Sequence, residues 1–121
     1  MMTGSPALLP GTSAEERTEP EVPIACRRCG HAITSPRERI GRDGAHVHTR
    51  INPGGWVHEL GCFAAAPGAR VEGEATFDHT WFPGFAWRYA RCGACGTHLG
   101  WRYEGGGETF FGLILVELAG A

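Results

Sequence analysis

Two pairs of cysteines carry the first chemical possibility in this chain: Cys26-Arg-Arg-Cys29 and Cys92-Gly-Ala-Cys95. A two-residue gap lets both sulfurs of a pair face one ion, and two such knuckles complete a tetrahedral site of four thiolates, the usual home of structural zinc. One CxxC alone would read equally as a redox dithiol; two in one short chain point to metal. Each knuckle runs into a glycine, Gly30 or Gly96, which permits the close backbone turn. Four thiolates fill the coordination shell, so no position is left for a reacting water. One structural Zn2+ is expected, its binding energy contributing to folding. Cys62 stands outside the set. A nucleophilic thiol needs an activating base, and Cys62 reads as a small buried hydrophobe.

The second possibility is aromatic. The stretch from His79 to Tyr103, HTWFPGFAWRYARCGACGTHLGWRY, holds Trp81, Trp87 and Trp101, three of the four tryptophans, with Phe85, Tyr89 and Tyr103. If the second knuckle is the tip of an antiparallel hairpin, Trp87 is expected across from Trp101, Phe85 from Tyr103, and Tyr89 from Leu99. All six then alternate onto one face, while Ala86, Arg88 and Arg102 take the other. A slip by one residue would split the set. Pro83-Gly84 turns the chain back and could bring Trp81 beside the hairpin as a third wall. On pattern alone this cluster reads as readily as a plain aromatic core, since Trp is usually buried. At a rise of ~3.3 Å per residue the indoles lie roughly 15 Å from the metal, which can fix the hairpin without touching what the indoles hold.

The elements that must position these groups are short strands. Ala45, Val47, Thr49 and Ile51 alternate with His46, His48 and Arg50, the period of a half-buried strand, with the histidines expected to face solvent. Asn52-Pro53-Gly54-Gly55 is a turn by composition. Trp56 to Leu60 reads as a strand ended by Gly61, and Phe63 to Ala66 as a helical turn stopped by Pro67-Gly68. Val71–Thr76, Phe85–Arg91 and Thr97–Glu104 read as strands, Gly105–Gly107 as a turn, and Phe110–Leu118 as a buried final strand. From Gly30 to Gly44 no element is legible. His31 and His98 follow the knuckles and could cover the metal site. The class is mainly β.

Residues 1–21 are rich in Pro, Gly, Ser, Thr and Glu and bury too little to offset their ordering entropy. They are expected to be a flexible tail ahead of one domain over residues 22–121. Formal charge is −2 over 121 residues, with Arg supplying all eleven basic side chains. Such a balance argues against a nucleic-acid backbone as partner. The cluster Arg27, Arg28, Arg37, Arg39 and Arg42 is interrupted by Glu38 and Asp43 and reads as a solvated loop. No window approaches the ~20 apolar residues of a membrane span, and no secretory signal is visible, so a cytoplasmic monomer with reduced thiols is expected.

NPGGWVHE at Asn52–Glu59, followed by the whole His79–Tyr103 stretch and the paired CxxC knuckles, closely resembles the thalidomide-binding (CULT) domain of the cereblon family. The resemblance covers roughly Val22 to Leu118, and the chain looks like one of the family's free-standing bacterial single-domain members. It implies a β-tent, two antiparallel sheets pinned by zinc at one end. It implies that Trp81, Trp87 and Trp101 form a cage for the glutarimide ring of thalidomide-type drugs. Tyr103 matches a fourth wall that is Phe in the vertebrate protein, a departure that adds a hydroxyl at the cage rim. His79 and Trp81 match positions whose backbone groups meet the imide, Asn52 and Pro53 the loop near the exposed part of the ligand, and His58 a rim position. The implied ligands are small cyclic imides, C-terminal cyclic imides of proteins, and uridine-like rings. The segment that docks a ubiquitin-ligase adaptor in the eukaryotic family is not expected in this chain.

Two other functions compete. An aromatic cage can hold a cation such as methyl-lysine over its π faces, with Asp78 and Glu104 lending charge. Methionine sulfoxide reductase B shares the zinc-pinned β-tent, but its chemistry needs a nucleophilic cysteine on a late strand, where this chain has none. A binding module rather than an enzyme is expected.

Overall fold

The computed structural model describes residues 22–121, so the tail expected over residues 1–21 lies outside the described residues. Among the described residues nine short strands form two antiparallel sheets. The smaller has the order β2 (Ala32–Thr34), β1 (Ile24–Cys26), β9 (Leu118–Ala119). The larger runs β3 (Val47–Ile51), β4 (Val57–Phe63), β8 (Glu108–Ile114), β7 (His98–Gly105), β6 (Ala86–Cys92), β5 (Ala69–Thr76). The mainly-β, two-sheet expectation is met.

Alternation along the central strands gives the larger sheet two apolar faces. One carries Phe63, Leu99, Phe111 and Leu113 and packs with Ile24, Ile33 and Leu118 of the smaller sheet. The other carries Leu60, Cys62, Tyr103, Phe110 and Ile114. Among the described residues no strand covers this second face. Its cover is the loop between β5 and β6, whose Phe82 is 3% exposed and whose Trp81 and Phe85 pack beside it. The loop can do this because Phe82-Pro83-Gly84-Phe85 is a tight turn, with the Phe85 amide donating to the Phe82 carbonyl at 2.9 Å. Gly84 takes φ 89°, a conformation that Pro at the first central position and Gly at the second favour.

Several local expectations are corrected. The β6–β7 hairpin pairs Trp87 with Tyr103 and Tyr89 with Trp101, two residues away from the expected register. An even shift keeps each residue on its face, so the aromatic set survives except for Leu99. A bulge between the Ala90–Gly100 and Arg91–His98 pairs leaves Leu99 unpaired and sends it into the core between the sheets. Gly61 does not end β4. A Cβ there would lie 2.8 Å from Leu115 Cδ2 and 3.0 Å from His46 Nε2, so glycine is needed for close packing rather than for a stop.

Phe63 closes β4, and no helical turn follows it. The Phe110–Leu118 run is not one strand. It breaks after Ile114 into a 3-10 turn, Leu115–Glu117, then re-enters the other sheet as β9, where Cys26 faces Leu118. The run must bend because its two ends belong to different sheets. Between Gly30 and Gly44, where no element was legible, lie β2 and a 3-10 turn, Pro36–Glu38.

The polarity of β3 is the reverse of the expected one. His48 is 7% exposed, whereas Val47 and Ile51 are 43% and 62% exposed. His48 has its own inward partners: Nε2 meets the Ala45 carbonyl at 2.9 Å, Nδ1 meets the Arg50 guanidinium at 3.2 Å, and the ring stands edge-on to Phe82. His46 likewise turns inward, with Nδ1 3.0 Å from the Ile40 carbonyl and its ring against Phe63. Nor are the arginines a uniformly solvated loop. Arg27 donates to the carbonyls of Val116 and Leu118, and Arg42 stacks on two phenylalanines.

Candidate functional site

The two knuckles meet at one end of the sheets. The sulfurs of Cys26, Cys29, Cys92 and Cys95 all lie within 4.8 Å of one another, with Cys26–Cys95 at 3.7 Å and Cys29–Cys92 at 3.6 Å. Four sulfurs around one ion at ~2.3 Å, arranged as a tetrahedron, stand about 3.8 Å apart, so the set fits a single four-thiolate metal ion. The backbone prepares it in the same way twice. Gly30 donates to the Cys26 carbonyl and Gly96 to that of Cys92, while Cys26 and Cys92 donate to His31 and Thr97. The amides of Ala94 and Cys95 approach the Cys92 sulfur at 3.4 and 3.5 Å. The Thr97 hydroxyl, 3.0 Å from the Cys95 sulfur, and the Thr97 backbone hold that thiol down at about 6. At Cys29 a backbone bond with His31 lowers the thiol, but burial and the three neighbouring sulfurs outweigh it and push it up to about 12. Without a cation these four sulfurs cannot share one spot as thiolates.

A cavity of about 380 Å³ opens on the Trp81 side of the larger sheet. The β3–β4 turn gives it Asn52 and Pro53, the β5–β6 loop gives His79 and Trp81, and the hairpin gives Trp87, Tyr89, His98, Trp101 and Tyr103. Every residue expected at the ligand site lines this cavity except His58. That imidazole stands against Trp81 and Trp101 with ring centroids at 5.9 and 5.8 Å, and lines a neighbouring groove instead.

Trp81 and Trp101 meet edge to face, centroids 5.0 Å apart, and Trp87 packs edge-on to Tyr89 at 5.1 Å. Two indole N–H groups are already used. Trp81 Nε1 donates to the Ile51 carbonyl at 3.2 Å and Trp87 Nε1 to the Asp78 carbonyl at 2.7 Å, which ties the loop to the strands on either side of it. Trp101 is 9% exposed, and its N–H meets no acceptor among the described residues. His79 takes φ 56°, the left-handed region that is uncommon for a residue with a side chain and that gathers at ligand sites. Asn52 holds its turn, its Oδ1 accepting from the Trp56 amide at 2.9 Å.

Tyr103 is not at the rim. It is 1% exposed, stacked on Phe110 at 5.1 Å and crossed by Phe82 at 4.9 Å, and burial pushes its phenol well above the usual range. Its hydroxyl meets no hydrogen-bond partner among the described residues.

Tyr89 and His98 are cavity residues that the sequence reading did not assign to the site. The alternation of the hairpin placed Tyr89 on the right face, and that signal could have found it. His98 comes in through the bulge at Leu99, which leaves no trace in the pattern. Its Nε2–H donates to the Gly100 carbonyl at 3.0 Å, its ring meets Trp101 at 4.9 Å, and burial lowers its pKa. Among the described residues the cavity lining contains no Asp or Glu; Glu104 pairs with Arg102 at 3.3 Å. Cys62 is fully buried and its thiol is pushed up to about 11, so it lacks the thiolate character of a nucleophile.

No family model matches the chain. The chain is similar to the protein cereblon of Gallus gallus, 40% identical over 86 residues, which are 66% of this chain and 18% of that protein. Against cereblon of Xenopus tropicalis the identity is 42% over 86 residues, with the same two shares. Against cereblon of Drosophila melanogaster it is 27% over 99 residues, 79% of this chain and 17% of that protein. The chain thus spans about a fifth of the length of the relatives it matches. No helix among the described residues is long and apolar enough to cross a membrane.

Proposed function

The chain carries a cereblon-type domain, and from that premise we propose that it is a binding module, not an enzyme, whose aromatic cavity holds a cyclic imide. The ligand class is the glutarimide ring of thalidomide-type drugs, a cyclised imide at a protein C-terminus, or a uridine-like ring. The observation that carries the reading is the wall chemistry. Three indoles from two different segments close on one small space that no carboxylate lines. A cyclic imide is neutral, with methylenes on one side and an acceptor–donor–acceptor edge on the other. Indole faces exclude water around the methylenes, and polar groups beside them can meet the imide edge. His79 in its left-handed conformation and the unpartnered N–H of Trp101 are such groups.

The volume of about 380 Å³ is at the small end of the ~300–1,000 Å³ of ligand pockets and suits a single ring. A ring of ~8 heavy atoms has a ceiling of ~1.5 kcal/mol per atom that ligands rarely approach; at about 1 kcal/mol per atom the affinity is near ~1 µM or weaker. In this reading the ion held by Cys26, Cys29, Cys92 and Cys95 is zinc, which binds, neutralises and cross-links the knuckles and takes no part in ligand binding. A cation cage is the weaker reading because its π faces would work without a nearby carboxylate.

Titration of tryptophan fluorescence with glutarimide and with a trimethylammonium compound tests the choice. Saturable quenching or a spectral shift with the imide is expected. A response confined to the cation would overturn the imide reading.

A further inference from the structure

The loop between β5 and β6 carries His79 and Trp81, yet it has no regular secondary structure to hold its shape. Its internal hydrogen bonds are short-range: the Thr80 hydroxyl donates to the Phe85 carbonyl at 2.7 Å, the Thr80 amide to the Phe77 carbonyl at 3.1 Å, and the Phe85 amide closes the turn onto Phe82. Besides the two indole hydrogen bonds to the Ile51 and Asp78 carbonyls, it is fixed to the body of the domain by a pair of aromatic feet, Phe82 and Phe85. Below, both rest on Phe110, at 5.1 and 5.3 Å. Above, each is covered by a guanidinium group from the segment that runs into and along β3.

Arg42 lies 4.8 Å from the ring centre of Phe85 and 4.6 Å from that of Phe110, and its Nη1 donates to Glu108 Oε1 at 2.9 Å. One side chain therefore joins three segments: its own turn, the foot of the loop, and the start of β8. The turn that presents it is tight. Arg42 and Ala45 exchange both backbone hydrogen bonds, at 2.8 and 3.0 Å, across Asp43 and Gly44, both at positive φ. Arg50 lies 5.4 Å over Phe82. No carboxylate pairs with it among the described residues; its donors go to the Thr49 carbonyl and to Nδ1 of His48. Since His48 Nε2 faces a carbonyl, Nε2 carries the proton and Nδ1 is free to accept, which fixes the guanidinium beside the ring. A guanidinium over a phenyl face is attracted by the ring quadrupole, more strongly where water is kept away.

We propose that Arg42 and Arg50 are positioning residues of the cage: by clamping Phe85 and Phe82 they set where the loop holds His79 and Trp81, although neither guanidinium lines the cavity. This inference rests on the cavity being the ligand site. It also links the two rims, because the segment that supplies the clamp continues from Arg50 through Ile51, the acceptor of the Trp81 indole, to Asn52 and Pro53.

The experiment compares Arg42→Ala, Arg50→Ala, their Lys counterparts and Arg27→Ala, using glutarimide as the ligand in stopped-flow and equilibrium fluorescence. Arg27 serves as control because it caps the carbonyls of Val116 and Leu118, away from the loop, so its loss costs stability without loosening the clamp. Arg42→Ala and Arg50→Ala are each expected to bind roughly five- to tenfold more weakly, and Arg50→Lys, which keeps a cation over Phe82, to recover most of that loss. Arg27→Ala is expected to bind as the parent does. Folded Arg42→Ala and Arg50→Ala proteins with parental affinity would overturn the clamp, as would an equal loss in Arg27→Ala.

Acrylamide quenching of the ligand-free proteins, in a Trp56→Phe background that removes the exposed indole, reads the clamp without any ligand. Quenching should rise in the clamp variants and not in Arg27→Ala; unchanged quenching in the clamp variants overturns the proposal. A parent protein that fails to bind the imide would defeat the proposed function, and the quenching result would still decide the clamp.

Discussion

The rings of Trp81 and Trp101 stand 5.0 Å apart at 80°, edge to face, although the first comes from a loop and the second from the middle of a strand. Edge-to-face packing leaves each indole one broad face for something else, and two such faces at nearly a right angle make a corner. Trp87 and His79 line the same cavity from its other walls. A corner made by two segments is open to single-residue tests, since one wall can change while the other is still held by the strand or loop behind it.

Trp101→Phe is the sharpest of these tests. It keeps an aromatic wall in the hairpin but removes the N–H that has no acceptor among the described residues. We expect imide affinity to fall about tenfold or more, with metal content and circular dichroism unchanged. Trp101→Ala should abolish binding. It should also cost ~3–5 kcal/mol of stability, since the side chain is 9% exposed. Retained affinity in a folded Trp101→Ala protein would mean that the cavity is not the site.

Removing the metal should unfold the domain rather than empty the cage. The knuckles end β1 and β6, and β1 is the centre of the smaller sheet. Four clustered thiols, two of them buried, that no longer share a cation would repel or protonate, and the junction between the sheets would go with them. A chelator titration followed by circular dichroism should show a cooperative loss, reversed by Zn2+. Full ellipticity after complete metal removal would contradict a structural ion.

Stability should fall on both sides of neutrality, for different reasons. Burial lowers the pKa of His98, so below about 6.5 the unfolded chain takes up its proton before the folded one, and acidification favours unfolding. Burial raises Cys62 from 9.0 to about 11, and raises Tyr103 as well. The unfolded chain therefore releases those protons first, and stability falls as pH rises above 9. Thermal melts across pH 5 to 11 should show a plateau between the two limbs. Cys62→Ala should flatten the alkaline limb and His98→Asn the acid one. Identical profiles in the parent and both variants would rule these groups out.

The metal knuckles were legible because two pairs of one rare residue type leave few alternatives. The aromatic face was legible because period-2 alternation survives an error of two in register. What stayed hidden is what depends on neighbours distant in sequence. Nothing local to Val47–Ile51 shows that Phe82 lies beneath it and offers His48 and Arg50 better partners than water does. Gly61 looks like a strand stop until Leu115 and His46 are brought against it. The apolar run from Phe110 to Leu118 does not reveal that its two ends join different sheets. The cavity itself was suggested by likeness to a known domain, since pattern alone allowed a filled core.

Tyr103→Phe should stabilise the protein and leave ring binding intact. The residue is 1% exposed, its ring is held by Phe82 and Phe110, and its hydroxyl has no hydrogen-bond partner among the described residues. A buried hydroxyl without a partner costs about 1–3 kcal/mol, and phenylalanine keeps every ring contact while removing that atom. A rise in the melting temperature is expected, equivalent to roughly 1 kcal/mol at the midpoint, with glutarimide affinity within about twofold of the parent. Ring binding that weakened severalfold while stability was unchanged would mean that the hydroxyl is satisfied by the ligand itself, and that Tyr103 reads the ring rather than supporting the wall beneath it.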